Sequence, residues 1–110
     1  MPLYIMLSSL SETGRQVLRK LPGSIRKVNA EVGRMGARVI AQYAVLGPYD
    51  FVTVLEAPDN ETVTSISIEL GARGSVSMMT LPAVPLDDFI SRLQARRAPR
   101  TGRRKKRARP

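Results

Sequence analysis

The residues of this chain best equipped for chemistry are polar groups set among apolar ones. Asp50 closes the turn Gly47-Pro48-Tyr49-Asp50, between the apolar runs 37–46 and 51–57. A carboxylate there can hold a ligand's ammonium group or a partner's backbone N–H. It can equally cap the turn by accepting bonds from its neighbours' N–H groups. Tyr43, Tyr49 and Tyr4 offer aromatic faces with a polar tip, suited to a pocket wall or to a core position with the hydroxyl at the rim. Arg38, Gln42 and Glu56 lie inside the flanking apolar runs. Directed inward, they form a constellation able to orient a small anion or carbonyl compound; directed outward, they are cross-strand surface pairs. Gly47, Tyr49, Asp50, Tyr43 and Arg38 are therefore the candidate ligand-binding residues. Met78 and Met79 beside Met6 supply adaptable apolar surface, as pocket wall or as core filler.

Other chemistry is excluded by composition. There is no cysteine and no histidine, which removes disulfides, thiolate metal sites, cysteine nucleophiles, the usual general base and the commonest metal ligand. No catalytic residue, metal site or cofactor is assigned. A general base would have to be Asp50 or Glu56 with a raised pKa, or a tyrosine. Gly71-Ala72-Arg73-Gly74 follows a helical segment instead of opening one, so it is a stop signal and not a phosphate loop. No apolar run approaches the roughly 20 residues of a membrane span, and no basic segment leads into an apolar stretch with a cleavage site. A cytoplasmic protein is expected.

The net charge of +9 belongs to one end of the chain. Residues 1–91 hold 8 Lys/Arg against all 9 Asp/Glu, whereas residues 92–110 hold the other 10 Lys/Arg and no acid. The organisation is one small domain, residues 1–94, and a basic tail, residues 95–110. The tail has no large apolar residue from Arg96 onward and is expected to be disordered. Arg103, Arg104, Lys105, Lys106 and Arg107 are its candidate nucleic-acid contacts, nonspecific and salt-sensitive. No aromatic side chain interleaves them, so base stacking is not expected. The same run also reads as a solvated extension with no selected partner.

The elements that must position these residues follow from periodicity. Residues 2–9 alternate as a strand, Leu3, Ile5 and Leu7 against Tyr4, Met6 and Ser8. Ser11 or Thr13 offers a helix N-cap. Val17, Leu18, Leu21, Ile25, Val28, Val32 and Met35 then form a helical stripe, interrupted at Pro22-Gly23 by a kink or restart. Gly36 ends it. Two strands flank the opening turn as a hairpin. In the first of them, Ile40 and Ala44 are expected on one face and Val39, Ala41, Tyr43 and Val45 on the other. Asp59 caps a second helix carrying Val63, Ile66 and Leu70. Residues 75–81 form a fourth strand, and Pro85 opens a last helix with Leu86, Phe89, Ile90 and Leu93.

The resulting order is βαββαβ with a C-terminal helix, an α+β sandwich of ferredoxin-like type. Helices on one face of an antiparallel sheet normally leave a polar face opposite. Here every strand is apolar on both sides. The simplest second cover is a second copy, sheet facing sheet across a two-fold axis, which makes a dimeric α+β barrel. The competing arrangement folds the last helix over that face of a monomer.

Several segments together resemble the GYD-domain family. They are Leu3-Tyr4-Ile5-Met6-Leu7-Ser8, Ala41-Gln42-Tyr43, Gly47-Pro48-Tyr49-Asp50-Phe51-Val52, 56–61, Glu69-Leu70-Gly71 with Arg73-Gly74, and Met79-Thr80-Leu81-Pro82-Ala83. The resemblance spans residues 2–93 and implies a ferredoxin-like domain of the dimeric barrel type, without implying a defined activity. The turn is also similar to a Gly-x-x-Asp turn in the effector-binding domains of leucine-responsive transcription regulators, which implies a small-ligand site near Gly47 and Asp50. The functional expectation is a homo-oligomeric small-ligand-binding or interaction domain, with a basic tail for nucleic acid. The alternative is a cofactor-free barrel enzyme acting on a small molecule, which rests on fold analogy.

Overall fold

The computed structural model describes residues 1–97. Its elements are β1 (Leu3–Leu10), α1 (Glu12–Lys20), α2 (Ser24–Arg34), β2 (Arg38–Ala44), β3 (Phe51–Glu56), α3 (Asn60–Gly71), β4 (Val76–Ala83) and α4 (Leu86–Arg97). The four strands form one sheet in the order β2-β3-β1-β4, with every neighbouring pair antiparallel. That is the ferredoxin-like arrangement the sequence predicts. Arg103, Arg104, Lys105, Lys106 and Arg107 lie outside the described residues, as does all of the basic tail beyond Arg97. Ala95–Arg97 close α4 as its last helical residues.

Local chemistry sets most boundaries. The Ser11 side chain accepts from the Gly14 N–H and caps α1. Pro22 cannot donate to a continuing helix, so the long apolar stripe is cut into α1 and α2. Gly36 takes φ 105°, a left-handed conformation open to glycine, just before β2. Asp59 caps α3 by accepting from the Thr62 N–H. One boundary moves: β4 runs on through Pro82 to Ala83. It can do so because β4 is an edge strand, where a missing N–H can face away from the ladder.

The core lies between the sheet and the helices. Tyr4, Met6 and Leu55 of the sheet pack with Val32 of α2 and with Val63, Ile66 and Leu70 of α3, all at most 5% exposed. The Tyr4 hydroxyl donates to Asn60 Oδ1 at 2.6 Å, so its polar tip is satisfied at the edge of that core.

The faces of β2 depart from simple alternation. Val39 pairs with Leu55 but Ala41 with Val54, so a bulge makes Ile40 and Ala41 together oppose one residue of β3. Val39 consequently shares the helix-covered face with Leu55, and Ala41 and Tyr43 share the open face with Val54 and Val52. The expected grouping of Val39 with Ala41 and Tyr43 is corrected by that one extra residue. The bulge also separates Arg38 from Gln42: Arg38 pairs with Glu56 and Gln42 with Thr53, positions of opposite parity on β3.

Candidate functional site

The turn that carries Asp50 is fastened to the end of β1. The Asp50 N–H donates to the Ser8 carbonyl at 2.7 Å, and its carbonyl accepts from the Val45 N–H at 2.9 Å. Its carboxylate Oδ2 accepts from the Leu10 N–H at 2.7 Å. The Ser9 hydroxyl donates to the Pro48 carbonyl at 2.9 Å. Gly47 makes the reversal at φ 117°. The N–H, carbonyl and Oδ2 of Asp50 therefore all serve backbone, and the turn-capping reading is the one its contacts express.

Tyr49 reaches from this turn to the open sheet face, with its hydroxyl 3.8 Å from the Met79 sulfur. Met79 pairs with Leu7, Leu7 with Val52 and Val52 with Tyr43, so Tyr43 and Tyr49 border one apolar row. Gly47, Tyr43, Tyr49 and Asp50 are thus gathered at one end of the sheet. Arg38 is not. It stands at the far end of the seven-residue β2, about 20 Å away at the rise of a strand. There its guanidinium is paired with Glu56 at 2.7 Å.

The open face is continuous and apolar. Leu3, Ile5 and Leu7 of β1, Ala41 and Tyr43 of β2, Val52 and Val54 of β3, and Met79 and Leu81 of β4 share it by register. Tyr43 is 59% exposed, Met79 50% and Leu81 42%. The last helix does not cover this face. α4 has no buried residue, and its own Leu86, Phe89, Ile90 and Leu93 are exposed. Among the described residues, nothing covers the apolar sheet face or the apolar helix stripe, which is unusual for a surface patch of this size.

On the covered face, α1 and α2 enclose a cavity of about 240 Å³ against the sheet. Gln42 faces it, not the open side: its Oε1 accepts from Asn29 Nδ2 at 2.8 Å, and its Nε2 donates to Thr53 Oγ1 at 3.0 Å. The trio Arg38, Gln42 and Glu56 is therefore split between the two faces. Asn29, Thr53 and Ser8 line the same cavity, and sequence reasoning missed them as a group because regular alternation places Gln42 with Arg38. Met6 and Met78 also line it, while Met79 faces the other way.

The ion pairs that shift protonation tie elements together and lie apart from this cavity. Arg73 grips Glu31 through two bonds of 2.7 and 2.6 Å, joining the end of α3 to α2. The hydrogen bond from Arg73 holds the Glu31 carboxyl below its ordinary range, aided by the charges of Arg73 and Arg34 and opposed by desolvation. The Thr62 hydroxyl and N–H do the same for Asp59 at the start of α3. Among the described residues, no group of three or more acidic, histidine or cysteine side chains could hold a metal ion, and no helix is long and apolar enough to cross a membrane.

These features define a class: a small ferredoxin-like α+β domain with a stitched hairpin turn and a bare sheet face. The family model of the GYD domain matches residues 4–93, and the chain belongs to that family. The chain is similar to a Thermus thermophilus protein named glutamine synthetase and cystathionine beta-lyase binding protein. The two are 53% identical over 95 residues, which span 86% of this chain and all of that relative. Its fold matches the crystal structure of a second Thermus thermophilus protein, TTHA0845. That match has a TM-score of 0.51 at 18% identity and covers 77% of this chain and 95% of that one.

Proposed function

We propose that this chain is a noncatalytic binding protein that pairs with a second copy through the open sheet face and docks on enzymes of amino-acid metabolism. Glutamine synthetase and cystathionine β-lyase, the enzymes in its relative's name, are the first partners to test. The observation that carries the reading is likeness over the whole length of that relative, at 53% identity. A binding role held in common needs no catalytic group, in keeping with a chain that has neither histidine nor cysteine.

The pairing is supported by area. Four strands about 4.8 Å apart and about 20 Å long present a flat footprint of roughly 400 Å². The apolar stripe of α4 extends it toward the about 800 Å² per partner that a stable pair buries. Gly47, Tyr43, Tyr49 and Asp50 border that face at one end and Arg38 at the other, so a bound small molecule or partner segment would meet them at the rim of the pair. The basic tail, through Arg103, Arg104, Lys105, Lys106 and Arg107, adds nonspecific contact with nucleic acid.

The test is light scattering coupled to gel filtration, with the full chain mixed with purified glutamine synthetase or cystathionine β-lyase from the same organism. A complex with either enzyme, of mass above that enzyme alone, is expected. Failure to co-elute with both at micromolar concentration, in low salt and in physiological salt, overturns the proposed partners.

A further inference from the structure

The cavity under α1 and α2 has the make-up of a ligand site, not of a packing gap. Its walls are the apolar side chains of Val17 and Leu18 of α1, Ile25 and Val28 of α2, and Leu10 and Phe51 of the sheet. A strip of hydrogen-bonding groups crosses its floor. Ser8 is only 9% exposed, lines the cavity, and its hydroxyl has no partner among the described residues. Thr53, 5% exposed, accepts from Gln42, and its own proton has no acceptor among them. Buried hydroxyls are almost always hydrogen-bonded, and leaving one unmatched is costly. These two mark where a bound molecule's polar atom would sit.

The lining also selects the charge of that molecule. None of the lining residues is ionisable, so a buried ionic group would find no counter-charge, a costly arrangement. Size follows from volume: a cavity of ~150 Å³ accepts benzene, and this one, about 240 Å³, has room for a second fused ring or a medium-length alkyl chain. We infer that this cavity binds a neutral, mostly apolar small molecule through one hydroxyl or carbonyl group held at Ser8 and Thr53. The break at Pro22-Gly23 separates the two helices that roof the site. Val17 is 44% exposed there, so the roof is thinnest along α1.

The probe is β-naphthol, with naphthalene and β-naphthoate as comparisons, titrated into the full chain and followed by backbone amide NMR. β-Naphthol is expected to move the amides of Ser8, Thr53, Val28 and Asn29, and to bind about fivefold more tightly than naphthalene, the worth of one neutral hydrogen bond. β-Naphthoate, a carboxylate at neutral pH, is expected to bind at least about tenfold more weakly than β-naphthol. Ser8→Ala should reduce the preference of β-naphthol over naphthalene, and Val28→Phe, which fills the space, should abolish binding. Shifts confined to Tyr43, Met79 and Leu81 on the open face would overturn the assignment, as would tighter binding of the carboxylate. No shift at any amide of the wild-type chain would overturn it too, whatever the variants do. The readout uses this protein alone, so its outcome is independent of whether glutamine synthetase or cystathionine β-lyase binds.

Discussion

Replacing Asp50 with alanine measures whether the turn's carboxylate serves the fold. Oδ2 accepts from the Leu10 N–H at 2.7 Å, a bond to a charged acceptor, worth about 1.5–3 kcal/mol when broken with the donor left unmatched. Leu10 is half-buried, so water replaces only part of the loss. At roughly 4–8 °C per kcal/mol for a domain of this size, the melting temperature should fall by about 6–24 °C. Asp50→Asn keeps an oxygen acceptor and gives up the charge, so it should cost about half as much. The assay is urea unfolding followed by circular dichroism, with the slope unchanged and the midpoint lowered, alongside amide exchange at Leu10, which should accelerate in the alanine variant. An Asp50→Ala protein within about 0.5 kcal/mol of wild type would refute the capping argument. The carboxylate would then be free for a ligand, and the effector-domain parallel would regain its force.

Other expectations follow from single contacts. A Cβ on Gly14 would lie 2.2 Å from the Ser75 carbonyl oxygen, which itself accepts from the Ser11 N–H. Gly14→Ala should therefore destabilise by about 1–3 kcal/mol although alanine is the better helix former by about 1 kcal/mol; a stabilised variant in urea unfolding would contradict that packing. Arg73→Ala should lower stability at neutral pH. Because the folded Glu31 carboxyl titrates below its ordinary value, the pair's contribution is present above that ordinary value and is lost as pH falls through the lower folded one. The gap between wild type and variant should close as acid protonates the Glu31 carboxyl and narrow in high salt, as thermal melts across pH would show. Removing residues 98–110 should abolish low-salt retention of DNA or RNA on a filter without changing the melting temperature; retention by the truncated chain would remove the tail from the account.

What the sequence made legible was local. Ser11, Pro22, Gly36, Gly47 and Asp59 act on their own backbone or the next turn, so each element boundary they set can be read from residue type alone. The resemblance to the GYD family, carried by segments spread from Leu3 to Ala83, agrees with the family match over residues 4–93. What was hidden depends on pairing across space. Nothing about Ile40 as a residue announces a bulge; the extra position appears only when β2 meets β3, and it turns Gln42 inward while Arg38 stays on the open face. The cavity site was hidden for the same reason, since Ser8, Asn29, Gln42 and Thr53 come from three strands and a helix. The extension of β4 through Pro82 likewise required knowing that β4 is an edge.

The central claim is that the open sheet face is an interface between two copies, and native mass spectrometry of the full chain tests it most directly. The wild type should appear as a dimer, and Val54→Lys and Leu81→Lys, each placing a charge on that face, should appear as folded monomers. A monomeric wild type at micromolar concentration, or dimers that persist in both variants, would contradict the account.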